Sequence, residues 1–205
     1  MLLFIHLAKT GGMSIRRMLN GLDFSYDCLH NDTLIQRRGS DVCRYQGGLL
    51  ISPRDYDVIC YFIRNPYDRL LSCYRYFYAG GLNQYGKKYF PGDAEVQKTI
   101  LKHFPNFQTC CAALEDFCAV VQHAKPMVRS LPKLEKTKRL FIGRYEKFDT
   151  DVVRFLFLLG ISIQQENILV ANKTKFTFGV DYTKAMKAQI YEFYKEDFDR
   201  FGYSR

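Results

Sequence analysis

Lys9-Thr10-Gly11-Gly12, with Ser14 just beyond, is the densest group of chemistry-bearing residues in the chain. A cation, a hydroxyl and two flexible residues stand between the apolar run Leu2–Leu7 and a helically spaced set, Met13, Ile15, Met18 and Leu19. The run suits a strand buried on both faces. A strand, a Gly-rich turn and a helix N-terminus together aim backbone N–H groups and the positive end of the helix dipole at one point, an anion site. Lys9 adds a mobile charge, Thr10 and Ser14 add hydroxyl donors, and Ala8 and Met13 complete the loop. The ligand that fits is a phosphate-like group. A Walker A loop is excluded by order, because that motif carries its lysine after the glycines and Lys9 precedes them. The plainer alternative is a tight strand–helix turn with a solvated lysine.

The same unit recurs downstream. Asp57–Ile63 reads as a second buried strand, Arg64 ends it, and Pro66 suits the first position of a helix running from Tyr67 to Phe77 and closing at Gly80-Gly81. Arg64 can grip a phosphate bidentately, and Ser72, eight residues on, can donate a second hydrogen bond. Structural alternatives are an ion pair of Arg64 with Asp68 and a packed Ser72. A third strand, Arg139–Tyr145, leads to a helix Val152–Leu159 with Asp149 or Thr150 as cap and Gly160 as stop. Helical spacing marks Ala94–Phe104, an amphipathic Thr109–His123 and a long Tyr182–Phe201. Gly21–Ser52 is polar and reads as an irregular excursion over the sheet edge, and Asn172–Gly179 as a loop. Alternating strands and helices predict an α/β fold with a mainly parallel central sheet. Ligands of such sheets sit at the carboxyl ends of the strands, where Lys9 and Arg64 both fall.

A length of 205 residues fits one domain, and 47% hydrophobic with 16% aromatic residues excludes disorder. The net charge of +9 calls for an anionic partner. With no Lys/Arg run of five and no nucleic-acid motif, that partner reads as an anionic cosubstrate rather than a nucleic acid. The seven cysteines form no C-x-x-C pair, so zinc is disfavoured and a reducing compartment fits. No apolar run approaches the roughly 20 residues that cross a bilayer. The N-terminus also lacks the basic region of a signal peptide. A soluble, cytoplasmic protein is expected.

FIHLAKTGGMS and FIRNPYDRLLSCYRYF, in this order, resemble the two phosphate motifs of the PAPS-dependent sulfotransferases, closest to the carbohydrate and heparan-type branch and its bacterial relatives. RYEKF at Arg144–Phe148 and the closing YKEDFDRFGY are similar to later landmarks of that family, while residues 20–55 and 80–135 match poorly. Ala8 and Met13 stand where the family usually has proline and threonine. The resemblance implies a three-layer P-loop-like fold with helices flanking the sheet. It implies a single sulfotransferase domain over 1–205, with a phosphosulfate loop at 7–14, a 3′-phosphate motif at 62–76 and an acceptor cleft within 80–135. It implies PAPS as donor without a metal, PAP as product, and a hydroxyl acceptor that is a glycan, the leading class, or a small metabolite. Ala8 to Ser14 would hold the 5′-phosphosulfate, with Lys9 on the leaving oxygen, and Arg64 and Ser72 would hold the 3′-phosphate. Tyr145 would flank adenine or be an ordinary strand tyrosine. The family's base is a histidine or glutamate from variable segments. His30 leads here and His123 follows, while His6 reads as structural and His103 as solvated. Lys173 reads as surface charge, with closure over the nucleotide as its alternative, and Tyr85, Lys87 and Lys88 are candidate acceptor contacts. The competing classes are a non-catalytic nucleotide- or glycan-binding module and a P-loop-like kinase. The kinase would need an acidic residue where the second strand has Arg64.

Overall fold

A computed structural model describes residues 1–22, 24–31, 33–38, 41–46, 52–82, 92–134, 139–168 and 178–205; for residues 38, 41–46 and 53 it describes the backbone. The chain begins with β1 (Leu2–Ile5), α1 (Gly12–Gly21), β2 (Tyr26–His30), β3 (Thr33–Arg38), β4 (Asp41–Gln46) and β5 (Val58–Ile63). Four helices follow, α2 (Pro66–Tyr78), α3 (Asp93–His103), α4 (Phe107–Ala112) and α5 (Leu114–Val120). Then come β6 (Leu140–Arg144), α6 (Phe148–Leu158), α7 (Lys184–Phe193) and α8 (Lys195–Phe201). Contacts gather into two units, one of residues 1–64 and 127–171, the other of residues 65–126 and 172–205.

The first unit holds the sheet, in the order β4-β3-β2-β1-β5-β6. β2, β1, β5 and β6 run parallel, and β3 and β4 add antiparallel at one edge. The α/β fold with a mainly parallel sheet is therefore present. Residues of β1 and β5 are buried on both faces, which is why both read as unbroken apolar runs. Ile15, Met18 and Leu19 of α1 and Val152, Phe155 and Leu156 of α6 pack with Phe4, Cys28, Cys60 and Phe62.

Two expectations change here. The segment expected as an irregular excursion contains β2, β3 and β4. β2 escaped notice because Tyr26-Asp27-Cys28-Leu29-His30 lacks an apolar run, yet Asp27 is wholly buried. Its carboxylate accepts hydrogen bonds from the Tyr56 hydroxyl at 2.7 Å and the Gln36 amide at 3.3 Å, so it enters the interior satisfied. Asn31, at φ +46°, stands between His30 and Thr33, which pair across the hairpin. Asparagine is one of the few residues that tolerate that left-handed conformation. Finally, α6 begins at Phe148, ahead of the expected caps, and Asp151 within it accepts the Arg144 N–H at 2.8 Å.

The second unit is helical. Its core joins Leu70, Tyr74 and Phe77 of α2 with Phe107, Cys110, Leu114, Phe117, Met186, Ile190 and Phe198. Asn65 caps α2, its side chain accepting the Tyr67 N–H at 3.0 Å, with Pro66 in the first turn. The expected continuous helix over 109–123 is instead α4 and α5, broken at Ala113. The expected C-terminal helix likewise breaks at Tyr194 into α7 and α8. Tyr194 is fully buried, and its hydroxyl donates to the Ala124 carbonyl at 2.6 Å. Arg69 supplies the unit's polar centre. It donates to the carbonyls of His123 (3.0 Å), Ala124 (3.3 Å) and Lys125 (2.6 Å) and lies 4.0 Å from the buried Asp197 carboxylate. Cys28, Cys60, Cys73, Cys110, Cys111 and Cys118 are buried. Among the described residues, no helix is long and apolar enough to cross a membrane.

Candidate functional site

The loop after β1 is fixed by its own backbone. Leu7 donates to the Ile5 carbonyl at 3.1 Å, and the Thr10 hydroxyl donates to the Leu7 carbonyl at 2.8 Å. The Thr10 hydrogen expected for a ligand is thus engaged within the loop. Lys9 has φ +65°, a left-handed conformation uncommon for a side-chain-bearing residue, and Gly11 has φ +87°. Strain of this kind on a lysine concentrates at functional sites. The Gly11 carbonyl accepts the N–H groups of Ser14 at 2.9 Å and Ile15 at 3.3 Å, which starts α1. Gly12 and Met13 precede any possible intrahelical acceptor, and the first turn of α1 carries no acidic residue. Thr10 and Ser14 are buried, and Ala8, Lys9 and Met13 are half-buried. The glycines also answer to close approach. A Cβ on Gly11 would press into the Phe148 ring, and one on Gly12 would overlap the His6 ring. Helix start, left-handed turn and cation together fit a phosphosulfate group.

Arg64 sits at the carboxyl end of β5, as expected. Its Nη1 donates to the Lys9 carbonyl at 3.3 Å, and its guanidinium lies 4.2 Å over the Tyr145 ring. Tyr145, in the turn between β6 and α6, therefore supports Arg64, a role absent from both sequence alternatives. Ser72 lies half-buried on α2, in the second unit.

The histidines separate. His30 ends β2, which is parallel to β1, so it lies at the sheet end from which the Lys9 loop leaves. Its Nδ1 is 2.8 Å from the His6 carbonyl. An oxygen acceptor there requires Nδ1 to carry the proton, which leaves the neutral ring's lone pair on Nε2. Burial is the main cause that lowers the His30 pKa below 6.5; the His6 carbonyl opposes it and Arg16 reinforces it. The buried His6 stacks on the part-buried His30 at 4.4 Å between centroids. Sequence reasoning placed His6 in the core and missed this contact, although a polar residue directly before the loop was its signal. His123 belongs to the second unit, stacked on Phe77 at 5.6 Å with its carbonyl engaged by Arg69. His103 is exposed at the end of α3.

Of the segment expected to form the acceptor cleft, residues 105–108 line a cavity of about 400 Å³ in the second unit. Tyr74, Tyr78, Phe178, Asp181 and Met186 form its other walls. Tyr85, Lys87, Lys88 and Lys173 lie outside the described residues.

A family model described as the sulfotransferase family matches residues 2–204. No curated protein and no solved structure matches the chain. A match over nearly the whole length identifies the chain as a member of the sulfotransferase family, a PAPS-dependent sulfotransferase.

Proposed function

We propose that the protein transfers the sulfuryl group of PAPS to a carbohydrate hydroxyl by in-line displacement, with His30 as general base and Lys9 stabilising the leaving phosphate. PAPS supplies the activated sulfuryl group. In this reading residues 1–205 act as one sulfotransferase domain of P-loop-like, three-layer kind. The loop Ala8–Ser14 holds the phosphosulfate, and Lys9 is preorganised positive charge where negative charge develops. Arg64 holds the 3′-phosphate, and Tyr145, over which its guanidinium lies, braces it. His30 takes the proton of the attacking hydroxyl on Nε2. The observation that carries this assignment is the Nδ1–H bond to the His6 carbonyl, together with the lowered pKa. The bond leaves the lone pair of the neutral ring on Nε2, and the lowered pKa keeps the ring neutral near pH 7. The carbohydrate acceptor rests on the motif resemblance to the heparan-type branch.

The test is transfer from ³⁵S-labelled PAPS to desulfated heparin. Lys9→Ala is expected to lower turnover about 100–1,000-fold, and His30→Ala about 100-fold or more. His123→Ala is expected to stay near the wild type. A wild-type rate in Lys9→Ala refutes the leaving-group role. Full turnover in His30→Ala moves the base to His123.

A further inference from the structure

The β1–β2 ladder continues one step beyond β1, where the His6 N–H donates to the Leu29 carbonyl at 2.8 Å. The His6 carbonyl in turn accepts the His30 Nδ1–H at 2.8 Å. The His6 ring lies on the His30 ring, 4.4 Å between centroids and 24° between planes, with Phe4 extending the stack at 6.0 Å. Toward the loop, the same ring occupies the place that a Cβ of Gly12 would take. One buried imidazole thus touches both the candidate base and the first residue of α1.

We propose that His6 is a positioning residue whose ring sets the placement of His30 against the phosphosulfate loop. The proposal rests on the reading of His30 as the base. A general base must lie within hydrogen-bond reach of the proton it takes, and displacements near an ångström are costly in rate. A flat ring packed between loop and base removes that freedom, because tilting His30 would require His6 to move against Gly12. The backbone carbonyl of His6 sets which nitrogen is basic, and its ring sets where that nitrogen points. Among the described residues, His6 from β1 faces the His30 ring and Arg16 from α1 acts on it electrostatically. Thr33, opposite on β3, does not titrate in this range.

The experiment uses the full chain with ¹⁵N-labelled histidine, as wild type, His6→Ala and His6→Phe. Long-range ¹H–¹⁵N spectra read the tautomer and titration midpoint of His30 without nucleotide. Calorimetry with adenosine 3′,5′-bisphosphate reads the loop. His6→Ala keeps the carbonyl but lets the His30 ring tilt away from it, and is therefore expected to average the two His30 tautomers and raise the midpoint as water enters. It is also expected to lower kcat about 10–100-fold while nucleotide affinity changes less than about threefold. His6→Phe, which keeps a flat ring, is expected to retain the wild-type tautomer and titration. If His6→Ala leaves the tautomer, the midpoint and the pH profile of kcat/KM unchanged while only lowering stability, His6 is a packing residue and the proposal fails. Full transfer by His30→Ala overturns the base assignment and this proposal with it. An inactive His30→Ala beside an unaltered His30 in His6→Ala overturns the His6 coupling alone.

Discussion

Gly12 offers a direct measure of how tightly the loop is packed on the residue beneath it. Glycine at the start of a helix is ordinarily improvable, since alanine is favoured over it by up to about 1 kcal/mol. Here the added Cβ would fall well inside contact distance of His6 Cδ2 and Nε2 and 2.8 Å from Cγ. The ring cannot swing away freely, because it is stacked between Phe4 and His30. Overpacking of this kind costs roughly 1–3 kcal/mol, so Gly12→Ala is expected to destabilise the protein by about 1–2 kcal/mol. His6→Ala alone empties a buried site and should cost about 2–3 kcal/mol. Once the ring is gone the new methyl has room, and Gly12→Ala in that background should become neutral or stabilising by up to about 1 kcal/mol. The cycle therefore predicts a coupling of about 2 kcal/mol between positions 6 and 12. Urea unfolding of the four proteins, compared by midpoint and slope, measures it. Additivity within about 0.5 kcal/mol would show that the two positions do not share space, and the packing argument would fall.

Arg69→Met removes the donor to three carbonyls and leaves the Asp197 carboxylate buried without its cation. It should cost about 3–5 kcal/mol, read from urea midpoints, with partial recovery when Asp197→Asn is added. A loss below about 1 kcal/mol would mean that the buried pair does not organise the His123–Lys125 turn. A third prediction concerns acid. Burial lowers the His30 pKa from 6.5, so the unfolded chain takes up this proton before the folded one does. Stability should therefore fall as pH drops from about 6.5 toward the folded pKa, by at most about 1.4 kcal/mol per pH unit from this group. His30→Gln should remove that component from midpoints measured between pH 7.5 and 5; an unchanged pH slope would contradict it.

The parts of the site that were legible in the sequence are those whose structure is local. β1 and β5 are buried on both faces, so each announces itself as an apolar run, and the loop and Arg64 follow directly from their ends. β2 was hidden because Asp27 is made tolerable by Tyr56 and Gln36, neither of which is near it in the chain. The breaks at Ala113 and Tyr194 carry neither glycine nor proline. At Tyr194 the chain follows a buried hydroxyl that reaches Ala124, a tertiary cause with no helical signature. His6 could be read as structural, but Gly12 and His30, which meet its ring, come from α1 and β2. Only the fold brings them to one ring.

Arg64 lies over the Tyr145 ring and is tied to the Lys9 carbonyl. A free arginine carries about 2 kcal/mol of rotamer entropy. In this protein much of that freedom is surrendered during folding rather than during ligand capture. Replacing Tyr145 with a small residue would leave the charge in place and the structure nearly intact, yet the side chain would have to be ordered anew at each encounter. A weakened complex with a less favourable binding entropy would be the mark of that loss.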